Sequence, residues 1–152
     1  MSVFKNSGIQ VQDYVYDFAV NGGTVSTIDL SITDGYALLP VGATVIGVVA
    51  RVLTACTSGG SATVEWGNTA DTDGYSGVAI AVASLTANAV FNGAEDATNP
   101  SALLFNNTND EEKPYAVTAT ANTQNFVVKI NTAALTAGKI AFSVMYLMPR
   151  TQ

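Results

Sequence analysis

Apolar residues recur along this chain with a period of two wherever a period is visible. Gln12 to Val20 sets Tyr14, Tyr16, Phe18 and Val20 on one side and Val11, Asp13, Val15 and Asp17 on the other, the alternation of a strand with one face in a core. Asn21-Gly22-Gly23 then has the residues of a hairpin turn. Thr24 to Ile32 resumes the alternation, with Ile28, Leu30 and Ile32 opposite Val25, Thr27 and Asp29, until Asp34-Gly35 and Pro40 interrupt it. Ala43 to Cys56 is longer and β-branched, with Ile46, Val48, Ala50 and Val52 on one face and Val45, Val49, Arg51 and Leu53 on the other. Both faces are apolar, so this strand is expected to be covered on both sides.

Further along, Ser58-Gly59-Gly60-Ser61 reads as a turn and Ala62 to Trp66 as a short strand, followed by a polar loop from Asn68 to Gly77. Val78 to Ser84 fits a strand and a short helix equally, and Asn88 to Phe91 reads as extended. Asn92 to Pro100 is expected to be loop, Ser101 to Phe105 a strand, and Asn106 to Pro114 a solvated excursion around Asp110-Glu111-Glu112-Lys113. Three strands close the sequence, Tyr115 to Ala121, Phe126 to Thr132 and Lys139 to Met148, with turns at Asn122 to Asn125 and Ala134 to Gly138. Eight or nine strands at roughly ten-residue spacing predict an all-β fold, a single antiparallel β-sandwich of jelly-roll type. Residues 11–152 form that domain; residues 1–10 read as an N-terminal arm that orders against a partner, with Val3, Phe4 and Ile9 as its apolar contacts.

Composition narrows the function. Of 152 residues only 12% are charged, 6 Lys and Arg against 12 Asp and Glu, where an ordinary soluble domain has about a quarter. The longest low-polarity run, Val41 to Ala50, is stopped by Arg51 and is too short to span a bilayer. Met1 to Gln10 lacks the apolar stretch of a secretion signal, so synthesis in the cytoplasm is expected. A net charge of −6 with no cluster of Lys or Arg argues against direct binding of nucleic acid or of an anionic membrane. The single cysteine, Cys56, forms no internal disulfide, and the absence of histidine removes the commonest general base and transition-metal ligand. No cofactor is implied.

The remaining chemistry is sparse. Asp71-Thr72-Asp73-Gly74 resembles the opening of a calcium loop, but Val82 stands where the bidentate Glu would be required. Glu65 beside Trp66 has the residue types of a sugar site, yet neighbours on a strand point apart, which puts Trp66 in the core or an interface and leaves Glu65 exposed. Thr57-Ser58-Gly59-Gly60-Ser61 lacks the Lys of a phosphate loop, and Cys56 has no neighbour to activate it. Arg51 is the anomaly, because a guanidinium on an apolar strand face is costly when buried alone. Either it lies at the sandwich rim, the placement we expect, or it pairs with an acidic residue across a subunit boundary.

Several stretches together resemble the capsid decoration or head-stabilising proteins of tailed bacteriophages, small virion proteins built on a β-sandwich. The resemblance is carried by Tyr16 to Gly23 leading into Ile28-Asp29-Leu30, by Leu39 to Val45, by Thr54 to Val64, by Ala70 to Tyr75 and by Thr132 to Lys139. Asn92 to Pro114 fits it least. It implies a virion protein without chemistry of its own, a homo-oligomer and typically a trimer, bound to the outer face of a shell of major capsid protein and bridging capsomers against the pressure of packaged DNA. The alternative is a carbohydrate- or receptor-binding module of a phage tail fibre or spike, which would use Tyr36, Tyr75 and Trp66 as exposed aromatics, with calcium at Asp71 and Asp73.

Overall fold

A computed structural model describes residues 8–33, 37–92 and 123–148, together with the short strands at 105–106, 111–112 and 115–116. Strand β1 (Gln10–Asp17) buries Tyr14 and Tyr16 and exposes Val11 and Asp13, as its alternation predicts. It ends before Phe18 because Asp17 caps a helical turn, α1 (Phe18–Asn21). Ala19 N–H donates to Asp17 Oδ1 at 3.0 Å, and Asp17 N–H donates to Asn21 Oδ1 at 2.8 Å. Val20 is thereby turned to solvent instead of following Tyr16 into the core. The same event shortens the next strand. β2 (Thr27–Asp29) gives way to α2 (Leu30–Thr33), where Asp29 Oδ1 accepts from Ser31 N–H at 2.9 Å. Ile28 and Leu30 remain buried, and Ile32 is 71% exposed.

The remaining elements are β3 (Thr44–Ser58), β4 (Thr63–Gly67), β5 (Ile80–Ala81) running into a 3₁₀ turn (Val82–Ser84), β6 (Val90–Phe91), β7 (Phe105–Asn106), β8 (Glu111–Glu112), β9 (Tyr115–Ala116), β10 (Val127–Asn131) and β11 (Leu135–Leu147). Two antiparallel sheets result, one in the order β1-β11-β3-β6 with β9 added beside β3, the other in the order β2-β10-β4-β5. Leaving aside β7, β8 and β9, first pairs with last, second with penultimate, third with sixth and fourth with fifth. That nesting is a long antiparallel ribbon rolled on itself, the jelly roll. Asn21-Gly22-Gly23 and Ser58 to Ser61 therefore carry the backbone from one sheet to the other, and the hairpin expected at Asn21-Gly22-Gly23 is not formed. Ala134 to Gly138, expected as a turn, lies largely inside β11, whose register shifts at Ala137. The polar excursion falls between β6 and β10, where β7 and β8 pair with each other.

β3 corrects the expectation of a strand covered on both faces. Met145 pairs with Gly47 and Tyr146 with Val45, so Ile46 is an extra residue, a β-bulge. The bulge reverses the parity, placing Val45 on the inner face with Val48, Ala50 and Val52. The outer face is left with Val49 half-buried and with Arg51 and Leu53 exposed.

Between the sheets lies an aromatic cluster. The Phe126 ring stacks on Tyr14 at 4.7 Å between centroids and on Tyr75 at 5.9 Å, and tilts against Phe142 at 4.9 Å. Phe142 continues to Trp66 at 5.4 Å, and Trp66 meets the edge of Phe91 at 6.0 Å. Such pairs add about 0.5–1.5 kcal/mol each to the burial of their area. Phe126→Ala is expected to cost roughly 3–5 kcal/mol by chemical denaturation, whereas Ile32→Ala should stay within about 0.5 kcal/mol. Equal losses for the two would contradict this placement of the core.

Candidate functional site

The outer face of the four-stranded sheet is polar and closed by the protein's own backbone. After β4, residues 68–77 fold back over the strand. Asn68 Oδ1 accepts from the N–H groups of Ala70 and Asp71, each at 2.9 Å, and Tyr75 and Ser76 N–H both donate to Trp66 C=O. Gly67 permits this return, because a Cβ there would collide with the Asp71 carbonyl oxygen. Beneath the loop sits Glu65, which is buried and not exposed as the alternation predicts. Thr72 Oγ1 donates to its Oε1 at 2.6 Å, Asn131 Nδ2 to its Oε2 at 3.0 Å, and Lys129 Nζ pairs with Oε1 at 3.0 Å. Trp66 points the other way into the core, as expected.

Asp71 lies above this cluster. Burial, a side-chain hydrogen bond with Asp73 and the negative charge nearby push its carboxyl up to about 7. Among the described residues no group of three or more His, Cys, Asp or Glu is placed to hold a metal. The other features of the alternative reading fare similarly. Trp66 and Tyr75 are fully buried and cannot form a stacking platform, and Tyr36 lies outside the described residues.

A groove of about 620 Å³ opens where the end of β3, the start of β4 and the 3₁₀ turn meet. Its lining includes Cys56, Ala62, Val82 and Leu85 with the hydroxyls of Thr57 and Thr86, and no charged side chain. Burial pushes the Cys56 thiol up to about 11, so it stays protonated and unreactive at neutral pH. The groove offers apolar contact without a reactive group.

The outer face of the five-stranded sheet stays open. Val11 and Val90 are each 56% exposed there and Leu53 44%. Met145 lies across Gly47, where a Cβ would come within 2.9 Å of its methyl carbon. Arg51 is on this face in mid-strand, opposite Ala141 on β11 and Val90 on β6, and so is not at the rim where the sequence reading puts it. Asp13 accepts from Ser143 Oγ at 2.7 Å. At one end Lys139 pairs with Asp17 at 2.8 Å; its hydrogen bond, with that of the Ala19 N–H, holds the Asp17 carboxyl below its ordinary value. Of the expected arm contacts, Ile9 is 59% exposed just ahead of β1, and Val3 and Phe4 lie outside the described residues. Glu65, Lys129 and Asn131 occupy alternate strand positions, a signal present in the sequence but without meaning until β4 and β10 are known to pair.

No family model matches the sequence, and no curated protein is similar to it. Solved structures are similar in shape. A chain of the cyanophage Pam1 capsid asymmetric unit superposes with a TM-score of 0.51 at 16% identity, covering 98% of this chain and 94% of that one. The acid-stable capsid structure of Helicobacter pylori bacteriophage KHP30 gives 0.42 at 15% identity, over 93% and 89%. The first likeness is one of fold, extending over nearly the whole of both proteins. Among the described residues no helix is long and apolar enough to cross a membrane.

Asp71 has a measurable consequence. In the unfolded state its carboxyl ionises near 3.8 and in the fold near 7, so between those values the folded state binds more protons. The stability this group contributes is full below about pH 4 and is lost as the pH rises to about 7. Asp71→Asn should abolish that component: the melting temperature of the wild type relative to the variant should fall over the same interval. Parallel profiles would exclude the shared proton.

Proposed function

We propose that this protein is a structural component of a phage virion, a capsid decoration protein without enzymatic activity that binds the outer face of the major capsid protein shell as a homotrimer. The observation that carries the reading is the jelly roll, shared from end to end with a chain of a phage capsid asymmetric unit. Two features agree with it. The charge content is 12%, and the five-stranded sheet leaves an apolar face open. Residues 1–10 serve as the attachment arm, leading out of β1 from the exposed Ile9 and carrying Val3 and Phe4 to the partner. The protein is made in the host cytoplasm and ends on the capsid exterior.

Purified protein should show the mass of a trimer by light scattering and should cosediment with shells that lack it. A strict monomer that never binds shells overturns the proposal. Removing residues 1–9 leaves β1 whole and should abolish shell binding without lowering the melting temperature; undiminished binding would remove the arm from the mechanism.

A further inference from the structure

The two outer faces of the sandwich are treated oppositely by the sequence. On the four-stranded sheet Lys129 neutralises Glu65, and Thr72 and Asn131 donate to the same carboxylate beside residues 68–77. On the five-stranded sheet the corresponding positions are Val11 and Val15 of β1, Ala141 and Met145 of β11, and Val49 and Leu53 of β3. Apart from the closed pair Asp17–Lys139 at its end, this face carries two charges among the described residues, Asp13 and Arg51. They stand on opposite sides of β11, Asp13 facing Ser143 and Arg51 facing Ala141, the next outward position along the strand. Two strand spacings, about 10 Å, separate them laterally. Arg51 is exposed and makes no ion pair among the described residues. Asp13 uses Oδ1 for Ser143, which leaves Oδ2 to accept from an incoming donor.

We propose that this face is the contact between copies of the protein, with Arg51 of one copy meeting Asp13 of the next across an apolar floor. The occupant follows from the charges. Covering the face with an uncharged partner would strand a guanidinium in apolar surroundings, which costs several kcal/mol. A second copy brings the missing carboxylate on the same surface, and the Arg51 fork suits a carboxylate bidentately. The floor has the composition of an interface core, apolar and depleted in charge, with small residues at Gly47, Ala141 and Ser143 that keep it flat. The inference rests on the oligomeric part of the proposed function and is independent of the shell.

Sedimentation equilibrium of the full-length protein tests it. Arg51→Asp sets one carboxylate against another at Asp13 and should weaken self-association about tenfold or more, as Asp13→Arg should by setting one guanidinium against another at Arg51. The combined variant Arg51→Asp with Asp13→Arg reverses the pair and should restore association to within about threefold of wild type. Val90→Asp, at an exposed position beside Arg51, should weaken association while leaving the far-ultraviolet circular dichroism spectrum unchanged. An unaltered constant for Arg51→Asp, or no recovery in the double variant, overturns the contact while leaving oligomerisation through another surface. A monomeric wild type overturns the contact and the trimer together, and cosedimentation with shells then decides the virion reading separately.

Discussion

Phe126 is fixed by its backbone before its ring is packed. Its N–H donates to Ser31 Oγ at 2.7 Å and its C=O accepts from Leu30 N–H at 3.0 Å, so the residue just ahead of β10 is tied to the helical turn after β2. Slightly further back, Gln124 exchanges hydrogen bonds with Leu39 through its backbone carbonyl and its side-chain amide, at 3.0 and 2.9 Å. With the backbone held at these points, the ring projects between the sheets and touches Tyr14, Tyr75 and Phe142. Those contacts come from β1, from the returning loop after β4 and from β11. One aromatic ring thus requires four segments distant in sequence to be in place at once, and it couples two sheets between which no ladder crosses.

The rolled topology explains why the coupling must be made this way. β11 is the last strand, yet it pairs along its length with β1 on one side and β3 on the other. The five-stranded sheet is therefore incomplete until the last strand arrives. Closing such a long loop costs entropy that no local turn offsets, and the return comes from the apolar strip on β11, where Ile140, Phe142, Val144 and Tyr146 are all buried. Two buried phenols of β1 are anchored to backbone carbonyls: Tyr14 OH donates to Ala37 C=O at 2.8 Å and Tyr16 OH to Gly22 C=O at 2.7 Å. Burial raises both phenol pKa values further above their ordinary range, so they remain neutral donors.

The all-β class, the strand number and most of the core were legible because period two is a local property. β11 follows it without exception from Ile140 to Tyr146, and β1 follows it to Asp17. What failed was non-local or subtle. At Asp17 and Asp29 a short carboxylate captured the next N–H groups and turned the strand into a helical turn, although the apolar alternation continued in the sequence. At Ile46 one inserted residue reversed inside and outside at the start of β3, bringing Val45 onto the face of Val48, a change that leaves no mark in the order of Val and Ile. Turn residues likewise announce a turn without saying whether the backbone pairs with itself or crosses to the other sheet, which is why Asn21-Gly22-Gly23 read as a hairpin. Glu65 was misplaced for the same class of reason: alternation correctly put it on the outer face, but the loop that covers that face is made possible by Gly67 and held by Asn68, whose significance depends on the returning backbone.

The scarcity of charge becomes intelligible in the placement of the charges on the two sheets. Glu65 and Lys129 neutralise each other beside a loop, Asp17 and Lys139 do so at a strand end, and burial beside Asp73 raises the Asp71 carboxyl to about 7. A monomer would gain solubility by placing Lys and Glu on the outer side of its larger sheet. This protein instead places Val, Ala, Ser and Met there, residues that lose little or moderate side-chain entropy when covered, and makes Arg51 the exception. An exposed arginine in mid-strand, flanked by Ala141 and Val90, makes no ion pair among the described residues. Its position is economical only when a carboxylate is delivered to it from another molecule, and the same sheet displays that carboxylate at Asp13.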